Sequence, residues 1–151
     1  MNIRRQVEEF LNFATGVEPS VVETKELIIA LDYLACSTND VTYTFDERDY
    51  LGYVNKNETS LRESISTRFP QLGYYNSVSE VTENIGGIEP TVGDSIDDLV
   101  DIIIELQEVS WRFENTSSDD ALWHFYNGYW THWGRHLRGL QSYLHYELYG
   151  A

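Results

Sequence analysis

Apolar residues recur along this chain with helical rather than strand spacing. Ile3, Val7, Phe10, Leu11 and Ala14 share one face of a helix over 3–14. Gly16 and Pro19 break the chain, and a second helix is expected from Ser20 to about Ala35. Its end, Leu27 to Leu31, is apolar nearly all round, which predicts a central, deeply packed helix. Ser60 and Glu63 have capping-box spacing, so a short helix is expected over 61–69, stopped by Pro70 and Gly73. Val78, Val81 and Ile85 predict another short helix over 77–85, ended by Gly86 and Gly87. Ile96, Leu99, Ile103, Leu106 and Val109 mark a strong helix from Asp94 to about Phe113. After the turn at 115–118, a last helix runs from Asp119 to about Leu148, capped by Ser117 or Ser118. The short connection makes these two an antiparallel pair. Between them and the first helices, residues 37–59 mix turn formers with Tyr43, Phe45, Tyr50 and Tyr53, which reads as an aromatic, acidic loop. No alternating run predicts a sheet. The fold class is therefore all-α: a single-domain bundle of about five helices over 1–151, with the loop at 37–59.

Two of these helices carry polar patterns. Asp94, Asp97, Asp98, Asp101, Glu105 and Glu108 fall within an arc of about 100° on the helix that begins at Asp94. Like charges three and four residues apart cost a few tenths of a kcal/mol per pair, and only Arg112 offers an in-line partner. The plain reading is a solvated outer face. A sharper one is a docking strip for a basic partner. A cation site is a third, though divalent ions need donors converging on a point rather than set out in a line.

The last helix has a heptad-like seam: Trp123, Trp130, Leu137 and Leu144 recur every seven residues, with Tyr126, Trp133 and Leu140 as companions. Core packing explains such a seam without any function. Gly134 and Gly139 each cost about 1 kcal/mol relative to Ala inside a helix, so they imply a close approach or a kink. His132 and His136 are four apart and share a face, which is a metal-ligand spacing. The set is incomplete: no Glu stands between them, and a third ligand must come from elsewhere, with His124 the nearest histidine in sequence. The alternative is a pair of histidines hydrogen-bonded at a core edge or an interface.

Net charge sharpens this picture. The chain has 25 acidic and 10 basic residues, a formal charge of -15. That opposes nucleic-acid binding and docking on anionic lipid, and favours cationic partners. The single cysteine, Cys36, excludes an internal disulfide and reads as a small buried hydrophobe. No apolar run has the length of a signal peptide or a membrane span, so the expected place is the cytoplasm, where the sequons at Asn57 and Asn115 would be accidental. Phosphate-loop and nucleophile-elbow patterns are missing.

The stretch Leu122-Trp123-His124-Phe125, with Tyr129 and His132-Trp133-Gly134-Arg135-His136-Leu137 after it, resembles an uncharacterised bacterial family known as domain of unknown function 5063. The upstream segment from Asp97 to Asp101 shares in the likeness. The resemblance implies a bacterial source and a helical domain, and it carries no activity or ligand with it.

The leading expectation is a non-enzymatic, acidic protein-interaction domain without a cofactor. Its candidate binding residues are Asp97, Asp101, Glu105, Tyr129, His132, Arg135 and His136. The first rival is a metal-binding bundle or metal-dependent enzyme that holds a divalent transition metal on His132 and His136, with His124 as a third candidate ligand. The second is a homo-oligomer, such as a homodimer, built on aromatic surfaces.

Overall fold

The structure, a computed structural model, describes residues 1–55 and 58–150, and of Glu58 only the backbone. The sequon asparagine Asn57 lies outside the described residues. Helices dominate: α1 (Ile3–Thr15), α2 (Thr24–Ser37), α3 (Glu58–Arg68), α4 (Ser95–Asn115), α5 (Ser118–Gly128) and α6 (Gly134–Tyr149). A 3-10 turn at Thr38–Asp40 follows α2, and a π turn at Tyr129–Trp133 joins α5 to α6 into one long rod. The all-α expectation needs one correction. Strands β1 (Tyr74–Ser77) and β2 (Thr91–Asp94) form a small antiparallel sheet in which Tyr74 faces Asp94 and Ser77 faces Thr91.

Local chemistry sets the helix starts. Asn2 accepts from the Arg5 amide, Asp94 from the amides of Ile96 and Asp97, and Ser117 from that of Asp120. Helix α2 begins at Thr24 rather than Ser20, because Glu23 and Glu26 form a reciprocal capping box there. The residues before it bend around Pro19, and the Val22 amide bonds to the Arg68 carbonyl at 2.9 Å. The helix expected over 77–85 does not form. Val78, Val81 and Ile85 are exposed, and the chain turns through Asn84 and Gly86 at positive φ. Three apolar residues at helical spacing had no neighbouring element to cover them.

Helix α4 is the centre of the bundle and packs against α1, α3, α5 and α6. Its Leu99, Ile102, Ile103 and Leu106 are fully buried, each burial stabilising by about 1.5–3 kcal/mol. Helix α2 is one-sided rather than deeply packed all round: Leu27, Leu31 and Leu34 are buried, while Ile29 and Tyr33 are exposed. Cys36 is also exposed, on the outer face of α2, and not the buried hydrophobe expected.

The loop after the 3-10 turn straps the α4–α5 corner. Asp46 accepts from Arg48, from Tyr50 and from Ser117, the residue that also caps α5. The Thr44 amide bonds to Asp119 at 3.1 Å. Phe45 meets Trp123 edge-on at 6.0 Å, and Tyr53 tilts onto Trp111 at 5.6 Å. The hydrogen bonds from Arg48, then Ser117 and Tyr50, hold the Asp46 carboxyl well below the usual carboxylate range.

The π turn resets the last helix. Buried positions run Ala121, Phe125, Gly128, then Trp133, Leu137, Leu140 and Leu144. The step from 128 to 133 is one residue longer than an α-helix allows, and the Gly134 amide bonds back five residues to the Tyr129 carbonyl. The seven-residue seam therefore fails where the turn intervenes. Trp133 is buried, whereas Trp130 is 75% exposed and Tyr126 36%. Gly134 is required by this geometry, because a Cβ there would sit 2.3 Å from the Tyr129 carbonyl oxygen.

Two outcomes test this account. Gly134→Ala should destabilise by about 1–3 kcal/mol in urea unfolding, despite alanine's better helix propensity; a stabilised variant would refute the close approach. Asp46→Asn should lower the unfolding midpoint at neutral pH. A depressed carboxylate pKa stabilises the fold above the unfolded value and loses that contribution as pH falls toward the folded one. The gap between wild type and variant should therefore narrow below about pH 4.

Candidate metal centre

The acidic face of α4 does not look out on open solvent. Asp98, Asp101 and Glu105 lie three and four residues apart on the side of α4 that meets the π turn and α6. The π turn carries His132 and the first turn of α6 carries His136, so both imidazoles are delivered onto those carboxylates. His132 Nδ1 lies 2.8 Å from Glu105 Oε1, and His136 Nδ1 lies 2.7 Å from Asp98 Oδ1. An ionised carboxylate only accepts, so both Nδ1 atoms donate. Each ring is thereby fixed in orientation and tautomer, with its Nε2 lone pair free on the other side.

Those two Nε2 atoms face each other at 3.3 Å. Asp101 Oδ2 lies 3.2 Å from Nε2 of His136 and 4.0 Å from Nε2 of His132. Bonds of about 2.0–2.2 Å at tetrahedral angles put neighbouring ligand atoms about 3.3–3.6 Å apart. The three separations bracket that value. Among the described residues, the group of His, Cys, Asp and Glu whose donor atoms all lie within 4.8 Å of one another is Asp101, His132 and His136. Its edge at His132 is open, that side chain being 47% exposed against 25% for His136.

A second layer holds the first. Tyr75, from β1, donates its hydroxyl to Asp98 Oδ2. Its ring stacks on Tyr143 at 5.1 Å, and the Tyr143 hydroxyl accepts from the Gly73 amide at 3.0 Å. Gly139 lets this happen, since a Cβ on it would stand 2.8 Å from the Tyr75 hydroxyl. Burial, and then the bond to Asp98, push the Tyr75 phenol well above its ordinary pKa, so it remains a donor. The bond to Asp98 raises the His136 pKa against the opposing effect of burial. Burial raises that of Asp101, the neighbouring histidines opposing it.

The remaining candidate residues lie elsewhere. Asp97 meets Arg62 at 3.3 Å, and Asp94 pairs with the same guanidinium at 2.7 Å. Glu108 pairs with Arg112 at 2.7 Å. His124 faces Asp120 at 3.7 Å, and burial followed by the Arg112 charge lowers its pKa. Tyr129 packs on Trp133 at 5.0 Å and accepts from Arg138 at 3.1 Å. Arg135 is exposed. Asp98 stands in the acidic stripe but not among the candidate binding residues, and Tyr75 is in neither; both touch the cluster. The spacing of Asp98 from Asp101 and Glu105 was a usable signal; Tyr75, on a strand with no visible pattern, had none.

A match to the family described as domain of unknown function (DUF5063) spans residues 2–150. The chain belongs to that family. Family membership thus covers the α1–α3 half as well as the last helix, on which the resemblance first rested. The crystal structure of protein BF1032 from Bacteroides fragilis is similar, with a TM-score of 0.77 at 17% identity, over 99% of this chain and 91% of that one. At that identity the likeness shows the fold alone. No curated protein matches the chain. Among the described residues, no helix is long and apolar enough to cross a membrane.

The carboxylate-fixed tautomers are directly measurable. In metal-free protein above the histidine titration range, nitrogen-15 NMR should show both His132 and His136 protonated at Nδ1. Asp98→Asn should release His136 from that tautomer and leave His132 unchanged. An Nε2-protonated His136 in the wild type would contradict the assignment.

Proposed function

We propose that this chain is a metal-binding helical domain whose centre, Asp101, His132 and His136, holds one divalent transition-metal ion. The observation that carries the reading is the spacing of the donor atoms. Both Nδ1 atoms are committed to carboxylates, and the two Nε2 atoms and one Asp101 oxygen lie 3.2–4.0 Å from one another. Histidine ligands of metal ions ordinarily give their second nitrogen to a carboxylate or a carbonyl, which fixes the ring and raises its basicity. Here both histidines do so. Two imidazole nitrogens disfavour calcium and magnesium, which take oxygen donors. Imidazole with one carboxylate suits zinc, iron or manganese, and the near-tetrahedral spacing fits zinc best.

Three protein ligands are the number found where a position is kept for an outside ligand, whereas closed structural zinc sites use four. The docking-strip reading has less support. Asp97, Asp101 and Glu105, its three central residues, each meet a cationic or imidazole partner within the chain.

Untagged protein should carry close to one equivalent of metal in elemental analysis, and stripped protein should bind zinc in calorimetry. Alanine at Asp101, His132 or His136 should weaken binding by more than the 10–100-fold typical of outer-layer changes, Tyr75→Phe should cost about tenfold, and His124→Ala should cost nothing. Metal-free protein that ignores zinc, manganese and iron would sink the reading. So would wild-type affinity in His132→Ala.

A further inference from the structure

The three-ligand centre also defines which outside ligand it accepts, an inference that rests on the metal reading above. Three carboxylates stand at the cluster, Asp101 as a ligand and Asp98 and Glu105 behind the histidines, and Asp97 lies one turn before Asp101 on α4, paired with Arg62. Among the described residues, no lysine or arginine forms an ion pair with Asp98, Asp101 or Glu105. Arg62 is engaged with Asp94 and Asp97, and the Tyr75 hydroxyl is neutral. These negative charges outnumber the two positive charges of a divalent ion. An anion approaching the open edge beside His132 therefore meets net repulsion in a setting where like-charge contacts are costly.

We propose that the ion's remaining position takes an uncharged oxygen or nitrogen donor, water at rest and a neutral carbonyl, amide or amine ligand in use, and discriminates against phosphates and carboxylates. The same field opposes conversion of bound water to hydroxide, so the ion serves as a Lewis acid toward a neutral ligand more readily than as a hydroxide source.

Zinc is spectroscopically silent, so cobalt(II) is the probe. Stripped wild-type protein is loaded with cobalt(II), and its visible bands are followed at about pH 8, where free imidazole is neutral. Imidazole should perturb the bands, with phosphate and acetate binding at least roughly tenfold more weakly. Asp97→Asn, which removes a nearby negative charge without touching a ligand, should narrow that gap. Phosphate or acetate binding as tightly as imidazole overturns the proposal, as does an anion affinity unchanged in Asp97→Asn. Bands indifferent to every added ligand overturn it too, while leaving the metal reading intact. If no cobalt bands form in the wild type, the metal reading itself fails and this inference with it.

Discussion

Nε2 of His132, Nε2 of His136 and Oδ2 of Asp101 are three electron-pair donors held against one another, and most of what is unusual in this fold follows from holding them there. His136 Nε2 lies 3.3 Å from His132 Nε2 and 3.2 Å from Asp101 Oδ2, close enough for the three atoms to share a proton or a cation. Glu105 and Asp98 hold the two rings from behind. On the proposed reading, a divalent ion at the meeting point would turn the three contacts into three bonds. Its binding would then add to folding free energy, because the unfolded chain does not assemble the site.

Two departures from a plain bundle serve that arrangement. The π turn adds one residue to the long C-terminal rod, so that His132 and His136 reach α4 while Trp133 stays in the core. The small sheet brings Tyr75 down on Asp98 and anchors itself through Gly73, whose carbonyl accepts from Ser95 and whose amide donates to Tyr143. Gly134 and Gly139, costly inside a helix, make room for the turn and for the Tyr75 hydroxyl respectively. Stability given up locally is thereby tied to the geometry of the site, as is common where π turns interrupt helices.

The helices were legible because amphipathic spacing and capping residues are local signals, and they placed α1, α4 and the α5–α6 rod to within a few residues. The sheet was not legible: Tyr74–Ser77 and Thr91–Asp94 are short, carry no alternating pattern and gain their order from packing on α4 and α6. The heptad seam misled at Trp130 because a π turn leaves no mark in periodicity beyond a break in it. The spacing of His132 and His136 was visible, as was the acidic stripe on α4. Their meeting was not, since register between two helices is a tertiary property. From α4 alone Asp101 and Glu105 read as an outward strip, whereas the π turn and α6 bring His132 and His136 onto them.

Anomalous X-ray scattering from crystals of the zinc-soaked protein would locate the ion itself. One strong peak is expected at the zinc edge, about 2.0–2.2 Å from Nε2 of His132, Nε2 of His136 and a carboxylate oxygen of Asp101. No ordered peak there, or a peak placed instead at His124 and Asp120, would contradict it.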